Sequence, residues 1–84
     1  MTGPQRIISN ACASGANAIG HAFHLVRSGR ADLVLAGGYD ALCQLVFCGF
    51  DALQALAPSG IPRPFDAARD GLALGEGAAF VVVE

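Results

Sequence analysis

The stretch QRIISNACASGANAIGHAFHLVRSGRADLVLAGG, Gln5–Gly38, changes its hydrophobic period twice. Gln5–Ser9 is a short extended run built around Ile7 and Ile8. From Ala11 to Ser28 the spacing becomes helical: Cys12, Ala16, Ile19, Phe23 and Val26 recur every three or four residues and share one face. Ser9 or Asn10 suits the N-cap of such a helix. Gly29 follows its last turn as a C-cap, flanked by Arg27 and Arg30 at the negative end of the dipole. Asp32–Gly38 is then a continuous apolar run bounded by charge and glycine, the pattern of a strand covered on both faces. Strand, helix and strand in 34 residues predict one βαβ unit with a right-handed crossover.

The helix is unusual on its polar side. Asn17, His21 and His24 lie opposite the apolar stripe, and no charge appears until Arg27. A surface helix normally carries Lys or Glu there. Small residues (Ala11, Ala13, Gly15, Ala16, Ala18, Gly20, Ala22) fill the same segment and allow neighbouring backbones to approach closely. The reading is a central helix covered on most sides. Downstream, a second helix is expected over Ala41–Ala57, apolar nearly all round. Pro58, Gly60, Pro62 and Pro64 mark a long loop, and Ala78–Glu84 closes the chain as another apolar strand. Alternating strands and helices give an α/β layer fold. A three-stranded sheet, apolar helices and a start almost inside a strand read as a domain whose ends are missing.

Composition points the same way. The chain has 84 residues, less than the usual ~100–200 of a domain. Hydrophobic residues make up 54% and, with 11 glycines, about two-thirds of the chain, against a usual ~45–50%. Charged residues are only 14%, although small domains have more surface to cover. Such a chain belongs to a larger core or hides a face in a partner. A net charge of -2 with no lysine leaves no basic footprint for nucleic acid or an anionic membrane. The longest uncharged stretch, Ile7–Val26, carries too many polar groups for a bilayer core, and no secretory signal pattern begins at Met1. Three cysteines form no paired framework or zinc spacing, so a reducing cytoplasm with free thiols is expected, with no zinc site.

Cys12 sits where the first strand turns into the helix. Helix-terminal amides favour a thiolate and can hold the oxyanion of a tetrahedral intermediate. Ala11, Ala13 and Gly15 leave room for a substrate carbonyl. A small buried core cysteine fits the local pattern too. Cys43 and Cys48 read as core residues, mid-helix among Leu, Val and Phe. His21 and His24 lie nine and twelve residues beyond Cys12, more than ~13 Å along a helix axis, so neither reaches the thiol. Both read as hydrogen-bonded structural residues. Glu76, between Gly75 and Gly77, reads as structural as well.

Four blocks carry a family resemblance. NACASGANAIGHA (Asn10–Ala22) resembles the nucleophile segment of the β-ketoacyl-acyl-carrier-protein synthases. ADLVLAGG (Ala31–Gly38), GFDAL (Gly49–Leu53) and RPFDAARDGLALGEGA (Arg63–Ala78) follow in that family's order, covering nearly the whole chain from Ile7. The last block separates these synthases from thiolases and chalcone synthases, which share the fold. The resemblance implies a thiolase-like αβαβα fold, here incomplete, with residues 1–84 a partial N-terminal domain from the first half only.

By the same resemblance, Cys12 falls on the acylated nucleophile and its N–H on an oxyanion donor, while Phe50 falls near the acyl tunnel. The implied reaction is acyl transfer to Cys12, then decarboxylative Claisen condensation with a malonyl thioester, in fatty-acid or polyketide synthesis, with no metal and no cofactor. Acyl carrier protein and acyl and malonyl thioesters are the implied partners, and the complete enzyme is a homodimer. The family's two histidines, its lysine and its gating loop match no position here, so this chain alone is not expected to complete the condensation. A non-catalytic remnant, able at most to bind or dimerise, is the alternative. A chain-length-type partner without a nucleophile is disfavoured by Cys12.

Overall fold

The computed structural model describes Gly3–Glu84, and the elements run α1 (Ser14–Arg27), β1 (Val34–Asp40), α2 (Gln44–Ala52) and β2 (Gly77–Val83). They fall into two compact units. One comprises Met1–Tyr39 with Ala78–Glu84, and the other Asp40–Gly77.

In the first unit α1 begins at Ser14, three residues later than the sequence suggests. Its N-cap is Ala13 rather than Ser9 or Asn10, and no side chain caps it. The C-terminus is as expected. Gly29 adopts φ +68°, its N–H bonds the Val26 carbonyl at 2.9 Å, and the Arg30 N–H bonds Leu25 at 3.0 Å. These two bonds form a Schellman motif, in which a left-handed glycine lets the last carbonyls find donors.

β1 and β2 form a two-stranded sheet. Gly37 is required where they meet, because a Cβ there would lie 2.7 Å from the Phe80 Cα. Along β1, Val34, Ala36 and Gly38 are turned inward while Leu35 and Tyr39 are exposed. Gly38 lies against α1, where its missing Cβ would stand 3.5 Å from the Gly15 Cα. β1 is thus covered on one face, not on both, in this chain. The face of α1 turned inward is correspondingly the small-residue one, with Ala22 at 1% exposure and Ala18 and Leu25 half-buried. The larger stripe read from the sequence is open: Ile19 is 41% and Phe23 49% exposed.

Gln5–Ser9 forms no strand, and the expected βαβ crossover is absent among the described residues. A strand is stable only with a neighbour to pair its N–H and C=O groups. Nothing described here pairs with this run, and Ile7 is 98% exposed.

In the second unit α2 spans nine residues, not the seventeen expected. It stops because Gln54 turns left-handed at φ +55°, with Gln54 N–H bonding Asp51 O at 2.8 Å and Ala55 N–H bonding Phe50 O at 3.0 Å. That is a second Schellman motif, built without glycine. The chain then runs on to an isolated parallel bridge between Leu56 and Leu72, with Ala57 N–H bonding Leu72 O at 2.8 Å and Leu72 N–H bonding Ala55 O at 3.0 Å. Ala57 is the buried centre of this unit.

The proline-rich loop is held by its own polar groups. Ser59 donates its N–H to Asp70 Oδ2 at 3.2 Å and its hydroxyl to Asp70 Oδ1 at 3.0 Å. Asp66 Oδ1 accepts the Ala68 N–H at 2.8 Å, an Asx-type turn. Glu76 Oε2 accepts the Leu42 N–H at 3.2 Å, a structural role as expected.

The hydrophobic excess of the sequence stays visible. The accessible surface is 6968 Å², where a self-contained fold of 8.5 kDa exposes roughly 4,700 Å². Among the described residues the buried hydrophobic ones are three alanines, Ala22, Ala36 and Ala57. Large side chains including Leu35, Leu45, Phe47, Phe65 and Phe80 are exposed.

Candidate active site

Cys12 lies one residue before the N-cap of α1, on a tight double turn. The Ala13 N–H bonds the Asn10 carbonyl at 3.1 Å, and the Ser14 N–H bonds the Ala11 carbonyl at 3.1 Å. Ala11, just before the cysteine, has φ +48°. That conformation costs an L-residue about 1–2 kcal/mol, so the elbow is strained and the surroundings must hold it. The thiol of Cys12 is exposed. The turn also modifies the sequence reading of the local amides. Those of Ala13 and Ser14 are spent on Asn10 and Ala11, so they are not free to face an oxyanion.

A polar network closes around the turn. Ser14 Oγ accepts the Asn10 N–H at 2.7 Å and donates to the Ala11 carbonyl at 2.6 Å. The Asn10 Nδ2 donates to Asn17 Oδ1 at 2.7 Å. Sequence reasoning missed Ser14 and Asn17. The available signal was a serine four residues after Asn10, the spacing at which a short hydroxyl side chain bonds local backbone.

The histidines stand within α1, away from the elbow. Nε2 of His21 is buried and finds no hydrogen-bond partner, contrary to the bonded structural role expected. His24 is exposed, its ring edge-on to Phe23 with centroids 5.6 Å apart.

In the second unit Phe50 is half-buried on α2. With Val46, Gly49 and Leu53 it lines an open apolar groove of about 280 Å³. Their i, i+3, i+4, i+7 spacing makes one stripe of the helix. Cys12 and Phe50 belong to different units. Cys43 is not mid-helix. It is the N-cap of α2, in extended conformation and exposed. Backbone amides of Val46, foremost, and Leu45 lower its thiol pKa below the ordinary value. Cys48 lies in α2 and is exposed too, so neither cysteine is a core residue in this chain. Asp70 is held below the usual carboxylate range, chiefly by the Ser59 hydroxyl. Among the described residues no three His, Cys, Asp or Glu side chains come together as a metal site. No helix among them is long and apolar enough to cross a membrane.

The family model of the β-ketoacyl synthase N-terminal domain matches residues 1–84. The chain belongs to the β-ketoacyl synthase family. It is 43% identical to a putative polyketide β-ketoacyl synthase 1 of Streptomyces cyaneus, over 98% of this chain and 21% of that protein. It is 42% identical to a 3-oxoacyl-[acyl-carrier-protein] synthase 2 of Rhizobium meliloti, over 100% of this chain and 22% of that protein. A crystal structure of a β-ketoacyl synthase from Burkholderia phymatum superimposes with a TM-score of 0.79 at 48% identity, covering 88% of this chain and 19% of that one. The chain therefore spans about a fifth of the length of the β-ketoacyl synthases it matches. The described residues hold two helices and a two-stranded sheet, α/β elements consistent with part of a domain.

Proposed function

We propose that this chain is the nucleophile-bearing part of the N-terminal domain of a 3-oxoacyl-acyl-carrier-protein synthase, with the thiolase-like αβαβα fold in its complete form. The observation that carries the reading is Cys12, an exposed thiol on a strained elbow at the head of α1, in a chain matched throughout by the family model. Cys12 is the residue that takes the acyl group. Its thiol gives up a proton, Sγ bonds the acyl carbon of an incoming thioester, the carrier's C–S bond breaks, and the carrier leaves as a thiol. A malonyl thioester then loses CO₂, and its α-carbon bonds the acyl carbon while the Cys12 sulfur is released. His21 and His24 take no part in the decarboxylation, which belongs to residues of the complete enzyme.

Phe50 and the apolar stripe of α2 form part of the acyl-chain pocket. Acyl carrier protein and acyl and malonyl thioesters are the partners, in fatty-acid or polyketide synthesis. The exposed free thiols accord with a reducing cytoplasm. The complete enzyme is a homodimer, a reading supported by the unpaired run at Gln5–Ser9 and the bare Ile7.

The test uses a full-length synthase carrying this segment, made if necessary by exchanging residues 1–84 into the Burkholderia phymatum protein. It is incubated with octanoyl-CoA without malonyl substrate and mapped by mass spectrometry. One hydroxylamine-labile octanoyl group on Cys12 is expected. No adduct, or an adduct on Cys43 or Cys48 instead, refutes the assignment.

A further inference from the structure

We infer that Ser14 and Asn17 are positioning residues for Cys12, a step that rests on reading Cys12 as the acylated thiol. One hydroxyl grips the two residues that lead into Cys12, Asn10 and Ala11. Ser14 Oγ takes the Asn10 N–H at 2.7 Å and gives its own proton to the Ala11 carbonyl at 2.6 Å. That oxygen thereby spends its one proton and one of its two lone pairs on the chain entering the cysteine. Ala11 is the residue whose φ of +48° an alanine resists, so the bond to its carbonyl acts where the turn is under strain. The second clamp is longer in sequence. The Asn10 amide donates to Asn17 Oδ1 at 2.7 Å, tying the segment before the cysteine to the body of α1. Neither Ser14 nor Asn17 needs to touch substrate. Together they fix the backbone direction at Cys12, and with it the path of Sγ toward a thioester carbonyl and the direction of the Cys12 N–H.

Two reactions of the same thiol separate this role from general support. Alkylation by iodoacetamide needs only an accessible, nucleophilic sulfur. Acylation by octanoyl-CoA needs sulfur and oxyanion donor in register, and misplacement by about 1 Å costs roughly a hundredfold. In the full-length synthase, S14A is expected to slow acylation of Cys12 roughly tenfold to a hundredfold while alkylation stays within about twofold. Ser14→Thr, which keeps the hydroxyl, restores acylation to within about threefold of the parent. Asn17→Leu behaves as S14A does, and Asn17→Asp, which keeps an acceptor for Asn10, as the threonine variant does. Acylation unchanged in S14A and Asn17→Leu overturns the inference. So does an equal fall in both reactions without rescue, which marks a general structural role. An octanoyl group mapped away from Cys12 in the parent protein instead overturns the functional reading beneath it.

Discussion

Gly71→Ala tests the architecture of the second unit at its tightest point. Gly71 has φ +147°, and a Cβ there would stand 2.5 Å from Ala57 N, 2.7 Å from the Leu56 carbonyl carbon and 2.8 Å from Ala55 O. All three are backbone atoms, so no side-chain rotation relieves the clash. The bridge between Leu56 and Leu72 must open, losing the bonds from Ala57 N–H to Leu72 O and from Leu72 N–H to Ala55 O. Two such bonds contribute about 1 kcal/mol each. Holding an alanine at this φ adds on the order of 1–3 kcal/mol, for a total near 3–5 kcal/mol. At ~1.4 kcal/mol per tenfold, the amides of Ala57 and Leu72 should exchange with deuterium at least about a hundredfold faster. Hydrogen exchange of the full-length synthase carrying this segment, read by mass spectrometry on peptides spanning 55–72, measures it. Gly60→Ala is the control. It too has a positive φ, +67°, but open space for a Cβ, so its cost is only about 1–2 kcal/mol. Equal protection in Gly71→Ala and the parent would refute the close-approach argument.

Three further outcomes follow from single observations. Iodoacetamide should reach its plateau rate on Cys43 at lower pH than on a free cysteine thiol, because amides of Val46 and Leu45 favour its thiolate; a Cys43 profile by peptide mapping that matches free cysteine would contradict this. Ser59→Ala should return the Asp70 carboxyl toward its ordinary pKa, since the Ser59 hydroxyl is the main cause of its lowering. A depressed carboxylate stabilises the fold above its unfolded-state pKa of ~3.9 and loses that contribution as pH falls through the lower folded value, so the variant's acid unfolding should begin at higher pH; a carbon-detected NMR titration that leaves Asp70 unmoved counts against it. Ile8→Pro tests the proposed dimer: removing a ladder donor should weaken it, and light scattering that shows unchanged dilution behaviour would count against an interface at this run.

The parts of the fold legible in the sequence are those fixed by local chemistry. Gly29 ends α1 where a left-handed residue was expected, and the runs Asp32–Gly38 and Ala78–Glu84 contain most of β1 and β2. The prolines from Pro58 to Pro64 lie in a loop. What was not legible depends on contacts. Gln5–Ser9 has strand composition but no partner to pair with. The stop after Ala52 comes from Gln54 entering a conformation that its side chain does not advertise. Which face of α1 meets β1 was not legible either, because β1 is approached by small residues of the helix, where Gly15 meets Gly38. At the site, Cys12 was marked by its place between an extended run and a helix. The bonds from Ser14 and Asn17 that brace it needed coordinates, as did the cap position of Cys43.

The most direct test of the central claim is condensation by the full-length synthase with Cys12→Ser. A hydroxyl stays un-ionised near neutral pH where a thiol is partly ionised, so it is a far weaker nucleophile. Turnover of an acyl-carrier-protein thioester with malonyl-carrier protein should fall by orders of magnitude, with melting behaviour and circular dichroism unchanged. Turnover within about tenfold of the parent, at equal stability, would contradict the account, because the acyl group would then have to pass through some other residue.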